Sequence, residues 1–264
     1  MKRLLLAALM SVAVPSAVFA ADLYAKAPPP PVWDWTGLYF GGHLGGGWTW
    51  NDFTDSTFPT ACCFTPGWQT VKSSGFLGGV QGGYNYQIGR FVIGSDFDFS
   101  WSGINGSSVA AYGPNTVPPP PFDHNQTLTA DTNWLGTATT RLGVTRANWM
   151  FYSKIGVAWV HTNYRENNTV IATGFDRFDG TDSRTFTGWT VGTGFEWAFA
   201  HNWTARLEYD FIDLGNNAVQ MVGTDFPGQA FARGDQFTIN NLQYINEVKF
   251  GINYKFDPGW LFFW

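Results

Sequence analysis

The segment "WTARLEYDFIDLG", Trp203 to Gly215, places an apolar residue at every second position. Trp203, Ala205, Leu207, Tyr209 and Phe211 alternate with Thr204, Arg206, Glu208 and Asp210. Successive side chains of a strand point to opposite faces, so this segment predicts a strand with one greasy and one charged face. A water-soluble sheet buries the greasy face, whereas a sheet in lipid turns it outward. The rest of the chain decides between the two.

Seven further segments carry the same alternation: 36–50, 75–87, 91–101, 133–144, 149–160, 186–199 and 243–256, with the opening strand at 203–214. The connections between these eight segments run long, short, long, short, long, short, long. The short ones are "IGR", "TRAN" and "AHN"; the long ones are rich in Pro, Gly, Asn and Asp. Strict sorting of loop lengths is the habit of an up-and-down outer-membrane barrel. About 9–11 tilted residues cross the hydrocarbon layer, and each segment is long enough. The predicted fold is all-β: a transmembrane antiparallel up-and-down β-barrel of eight strands, with short periplasmic turns and four long extracellular loops.

Facing supports this choice. With the odd positions of 203–214 outward, the outer face also collects Val80, Tyr84, Tyr86, Phe91, Ile93, Phe97, Phe99, Trp101, Leu142, Phe151, Ile155, Trp189, Val191, Val248, Phe250 and Ile252. The inner face collects Asp96, Asp98, Arg141, Lys154, Glu196, Arg206, Glu208, Asp210, Glu247, Lys249 and Lys255, six acids and five bases. Eight strands enclose room for modest side chains only, so the aromatics do not fit inside. Lipid outside and a paired charged interior satisfy both sets, since an unpaired buried charge is costly. The aromatics cluster at strand ends. Trp35, Tyr86, Phe91, Trp149, Trp197, Trp203, Tyr254 and Phe256 lie near short turns or a terminus, and Trp48, Trp50, Trp101, Trp134 and Trp159 near long loops. Two such girdles fit the two interfaces of a bilayer.

Composition agrees. Aromatics are 18% and charged residues 13% of the chain, against about 25% charged in average soluble domains. Residues 1–20, "MKRLLLAALMSVAVPSAVFA", have the basic start, apolar run and small-residue end of a signal peptide. Without them, 13 basic residues face 20 acidic ones, a net charge of −7, which argues against nucleic acid as a partner. Residues 21–33, with Pro28 to Pro31, read as a Pro-rich periplasmic tether ahead of a barrel over 34–256. The cysteines, Cys62 and Cys63, are adjacent and build no disulfide framework.

The stretches "WDWTGLYFGGHLGGGW", "NWLGTATTRLGV", "WTARLEYDFIDLG" and "VKFGINYKF" resemble the alphaproteobacterial outer-membrane immunogenic proteins, porin-like surface antigens with an OmpA-like eight-stranded barrel. The resemblance covers essentially the whole mature chain and implies insertion by the outer-membrane assembly machinery. Its signal, polar-x-Gly-x-x-Φ-x-Φ with Φ hydrophobic or aromatic, falls on Lys249, Gly251, Tyr254 and Phe256. Such chains usually stop at the last aromatic; this one adds the aromatic tail "DPGWLFFW", 257–264. Similar proteins also suggest a contact between the N-terminal tether and peptidoglycan.

Local chemistry points to no enzyme. The four histidines, His43, His124, His161 and His201, have no zinc spacing, and His43 is placed in the lumen as a hydrogen-bonded interior residue. Cys62, Cys63 and His124 remain a remote soft-metal combination, and Asp176, Asp179 and Asp182 lack the spacing of a calcium loop. No serine or histidine sits in a nucleophile pattern. No metal or other cofactor is implied. The expected role is structural and surface-interactive, in contact with outer-membrane lipid and lipopolysaccharide, with the lumen closed by paired charges. A narrow diffusion channel and a loop-mediated adhesin or ligand-binding module are the alternatives, and no extracellular partner can be named.

Overall fold

The computed structural model describes residues 33–57, 68–112, 124–170, 176–223 and 236–256. Eight strands follow one another: β1 (Gly37–Thr57), β2 (Trp68–Ile88), β3 (Phe91–Tyr112), β4 (His124–Arg146), β5 (Trp149–Val170), β6 (Asp176–Ala200), β7 (Trp203–Gly223) and β8 (Gln236–Lys255). Each pairs antiparallel with its sequence neighbour, and β8 pairs with β1 to close the barrel. Closure leaves no sheet edge, as lipid requires. The three short connections are two-residue turns, Gly89-Arg90, Ala147-Asn148 and His201-Asn202.

The pairing fixes the barrel's geometry. From Tyr39 the register passes through Gly83, Asp96, Thr139, Gly156, Thr190, Ile212 and Ile245 and re-enters β1 at Thr49, ten residues further on. Ten residues of stagger are about 33 Å and eight strand spacings about 38 Å, so the strands incline at roughly 40° to the axis. Trp149 and Trp159 stand ten residues apart on β5. At that tilt they are separated by roughly 25 Å along the axis, the height of an outer-membrane apolar band.

Between those levels the greasy face is outside. Phe97, Phe151, Ile155 and Phe250 are 57%, 63%, 64% and 55% exposed, while Asp96, Arg141, Asp210 and Lys249 are fully buried.

The strands run well past the expected limits. β5 continues from Trp159 to Val170 and β6 begins at Asp176, in stretches read from the sequence as loops. Above the upper aromatics the outer surface meets water, so the alternation reverses its meaning: polar residues face out and apolar ones in. Phe53, Leu128, Val160, Tyr164, Met221 and Ile239 belong to one buried cluster in this upper interior, which also holds the buried Asn51, Asn241 and Gln243 around the Tyr164 hydroxyl. Two bulges reset the phase. In β4 the register slips between Thr132 and Trp134, and in β7 between Asp213 and Asn216, at Gly215 with φ +70°.

Trp35 departs from the girdle expectation. It is 1% exposed, inside the lower mouth, packed with Val92, Met150, Tyr152 and Ala198, and Trp33 meets it edge-on at 6.0 Å. Its backbone N–H donates to Gln87 Oε1 at 2.8 Å, which turns the chain inward before β1 starts. The barrel interior therefore has three layers: an apolar lower stopper, a charged middle and an apolar upper cluster.

Candidate functional site

Among the described residues, chemistry-bearing side chains concentrate in the middle layer. Residues two apart on a strand share a face, so Asp96 and Asp98 on β3, and Arg206, Glu208 and Asp210 on β7, all project into the lumen. β4 supplies Arg141, β5 Lys154, β6 Glu196, and β8 Glu247 and Lys249. Glycines make room: a Cβ on Gly192 would strike Asp210, and one on Gly194 would enter the Tyr152 ring.

Lys154 is the hub. Its Nζ lies 2.7 Å from Glu208 Oε1, 3.1 Å from Asp98 Oδ2 and 3.1 Å from Asp210 Oδ2. Arg206 spans the lumen, with Nη1 3.0 Å from Asp96 Oδ2 and Nη2 in a short contact with Asp98 Oδ1. Lys249 Nζ lies 2.7 Å from Asp210 Oδ2 and 3.3 Å from Glu208 Oε1. Arg141 lies lower, between the rings of Tyr39 (4.5 Å) and Tyr152 (5.1 Å), and donates to Asn85 Oδ1 at 2.7 Å and Glu196 Oε2 at 3.2 Å. Glu196 Oε1 also accepts from Thr204 and from Asn253 Nδ2 at 2.9 Å. Tyr152 donates to Glu208 at 2.6 Å, and Tyr39 makes a short hydrogen bond to Asp96.

Of the eleven charged residues assigned to the lumen from sequence, ten meet in this layer and Lys255 does not. Lys255 ends β8 at the lower rim, donates to the backbone oxygens of Asp34 at 2.6 Å and Thr36 at 3.4 Å, and lies over the Trp33 ring at 5.1 Å. Its place is a matter of register: three steps of two residues below Lys249 bring it beneath the charged layer and level with the incoming N-terminal segment. Six carboxylates thus face four cations. Asp210 and Glu247 stand directly opposite each other across β7 and β8 and share Lys249, which is 3.6 Å from Glu247 Oε2. Glu247 Oε1 has no hydrogen-bond partner among the described residues.

The layer also has neutral members, which carry no charge to single them out in the sequence. Tyr39, Gln81, Asn85, Tyr152, Thr204 and Asn253 are all buried and all bonded into the layer or its margin. They share the inward parity of the charged residues, the signal that could have found them. His43 does face the lumen, with Nδ1 2.9 Å from Gln81 Oε1 and Nε2 2.8 Å from Ser100 Oγ.

Other candidate sites read differently in three dimensions. Carboxylate oxygens of Asp96, Asp98 and Glu208 converge as metal ligands would, but Lys154 and Arg206 already supply positive charge there. Asp179 and Asp182, which fall in the long connection ahead of the strand expected at 186–199, lie in β6 and are held by Arg165 at 2.7 Å and Arg184 at 2.9 Å. Asp176 and His124 are placed only as the first residues of β6 and β4. Cys62, Cys63, the signal peptide, all of the tether but Trp33, and the tail 257–264 lie outside the described residues. Of the assembly-signal positions, Lys249 and Gly251 face the lumen, while Tyr254 and Phe256 stack edge-on at 5.1 Å at the lower end.

A closed ring of tilted antiparallel strands, greasy outside between two aromatic levels and charged within, defines an integral outer-membrane β-barrel. The chain belongs to the outer-membrane immunogenic β-barrel family of alphaproteobacteria: the family model "Outer membrane protein beta-barrel domain" matches residues 4–256. The 31 kDa outer-membrane immunogenic protein of Brucella melitensis is 30% identical over 97% of this chain and 100% of its own length. The 22 kDa outer membrane protein of Rhizobium leguminosarum bv. viciae is 27% identical over 88% of this chain and 82% of its own. Among solved structures, the outer membrane protease OmpT of Escherichia coli superposes with a TM-score of 0.51 at 7% identity, covering 83% of this chain and 97% of that one. At that identity the likeness concerns the fold alone.

Proposed function

We propose that this protein is a structural and surface-displayed barrel of the outer membrane that neither conducts solutes nor catalyses a reaction. The observation that carries this reading is the filled interior: six carboxylates and four basic side chains pack against one another across the middle, with buried apolar clusters above and below. An ion crossing it would have to break buried pairs and then pass an apolar stopper, and both steps are costly. Strands that rise roughly 25–30 Å beyond the upper aromatic level suit display of the connecting loops. The relatives named as immunogenic support the same surface role.

Single-channel recording across a planar bilayer holding the refolded mature chain tests this. Silence, with insertion verified by protease protection, is the expected result. Reproducible stepwise conductance overturns the closed lumen, and six carboxylates against four cations would then make the path cation-selective. Two contacts complete the proposal: the N-terminal segment with peptidoglycan, and Lys249, Gly251, Tyr254 and Phe256 with the assembly machinery. Protein wholly absent from isolated murein would count against the first. Undiminished surface yield of Phe256→Ala would count against the second.

A further inference from the structure

The lipid face of the barrel carries a shallow, open groove on β1 to β5 of about 620 Å³. Its walls are the outward-facing Phe97, Phe99, Trp134 and Trp159, and Gly82 and Gly136 form part of the floor. Gly136 is not needed for the barrel's own packing. A Cβ there would meet nothing nearer than the Asp98 carbonyl oxygen at 3.8 Å, whereas one on Gly156 would strike the Ala138 backbone. Without a side chain there, the strand surface is low enough for a ligand to approach the backbone closely from outside.

At its upper end the groove reaches Trp134. The indole stacks on Phe99 at 5.8 Å and lies parallel to the His161 imidazole at 5.7 Å and 3°. Beyond it the surface turns polar. His161 Nδ1 is 3.1 Å from Thr185 Oγ1 and its Nε2 3.3 Å from Ser183 Oγ. Ser183 donates to Asn163 Oδ1 at 2.6 Å, and Asn163 Nδ2 donates to Asn133 Oδ1 at 2.8 Å. The patch is made of amides, hydroxyls, an imidazole and an aromatic face. Two cations flank it, and both are engaged: Arg165, on the same face of β5, is held by both carboxylate oxygens of Asp179, and Arg184 is tied to Asp182 and Gln220. Neutral donors and acceptors beside an aromatic platform match sugar hydroxyls better than a phosphate, which calls for cations. The polar patch sits just above the upper aromatic level, at headgroup height, with the apolar groove directly below in the acyl layer.

We propose that this face holds one outer-leaflet glycolipid, with an acyl chain in the groove and its first sugar on Trp134, His161, Ser183, Asn163 and Asn133. The site lies on the outer surface and stands whether or not the lumen conducts.

Native mass spectrometry of the refolded chain in a sugar-free amine-oxide detergent tests it. The probes are monoglucosyl diacylglycerol and phosphatidylglycerol with matched acyl chains. Wild type should retain the glucosyl lipid about tenfold more strongly than the phosphate lipid, a difference of about 1.4 kcal/mol. Gly136→Leu, filling the groove, should release both lipids, and Asn163→Ala should weaken the glucosyl lipid alone. Equal retention of the two lipids by wild type, or undiminished glucosyl-lipid retention by Gly136→Leu, overturns the proposal. Heat-modifiable gel mobility verifies folding. If Gly136→Leu does not refold, Asn163→Ala and Trp134→Ala decide, and unchanged retention in both overturns the site.

Discussion

The consequences of charge stoichiometry appear at single residues. Arg206 holds both Asp96 and Asp98. Arg206→Ala takes from Asp96, 0% exposed, its nearest cation and leaves Asp98 to Lys154, so it should lower the denaturant midpoint of the refolded barrel by the equivalent of about 3 kcal/mol. Lys255→Ala removes a half-buried rim contact to backbone oxygens and should cost less than about 1 kcal/mol. Equal losses in the two variants would contradict the separation of Lys255 from the charged layer. Glu247 and Asp210 offer a second contrast. They oppose each other in register, and like charges so placed destabilise by about 0.2–1 kcal/mol. Glu247→Gln relieves that opposition, while Lys249 keeps Asp210 and Glu208, so the midpoint should rise. Asp210→Asn deprives both Lys154 and Lys249 of a close partner and should lower it. Parity on each strand made the charged set legible, because a charge on the greasy face would meet lipid. Which cation meets which acid was not legible, since partners such as Arg206 and Asp96 are 110 positions apart and meet only after closure.

At the level of the strand, the alternation holds only as long as its phase. β7 buries its even positions up to Leu214 and odd ones, Val219 and Met221, after Gly215. The bulge at Gly215 shifts the phase by one residue, so a period-two pattern ends there although the strand continues to Gly223. The slip beside Trp134 in β4 acts likewise. The strand extensions were hidden for a further reason. Their outer faces meet water and are built of Thr, Asn, Ser and Asp, which read as loop unless the inner apolar positions are followed separately. Gly215 has φ +70° and no atom within 4 Å of a would-be Cβ, so any cost of substitution is purely backbone. Gly215→Val should therefore destabilise by about 1–2 kcal/mol, and Gly215→Asn by clearly less, since Asn tolerates the left-handed region. Thermal unfolding in micelles followed by circular dichroism measures both. Equal effects from Val and Asn would point to side-chain packing instead.

On the scale of the whole molecule, three interior layers and two exterior levels are one design seen from two sides. The charged layer occupies the depth of the lipid band, where the outer positions are committed to apolar residues and the inner ones are left to polar side chains. Where the band ends, outside and inside exchange character, and the apolar residues move in: Trp35 and Met150 below, Val160 and Met221 above. The sequence revealed the outer half of this arrangement through its aromatics. It concealed the inner stoppers, because Trp35 near a strand end looks the same whether it points to lipid or into the mouth. The band height follows from strand geometry alone, with Trp149 and Trp159 ten residues apart on strands tilted by roughly 40°, hence about 25 Å. Mismatch between that height and the hydrocarbon thickness costs fractions of a kcal/mol per Å. The refolded barrel should accordingly be most stable in vesicles whose hydrocarbon layer is about 25 Å thick and less stable by about 1–3 kcal/mol when the layer is some 10 Å thicker. Urea titrations in phosphatidylcholine vesicles of graded chain length give the curve. A midpoint that keeps rising with thickness would mean that the exposed aromatics of β5 do not mark the interfaces, and the boundary between charged layer and stoppers would then need another cause.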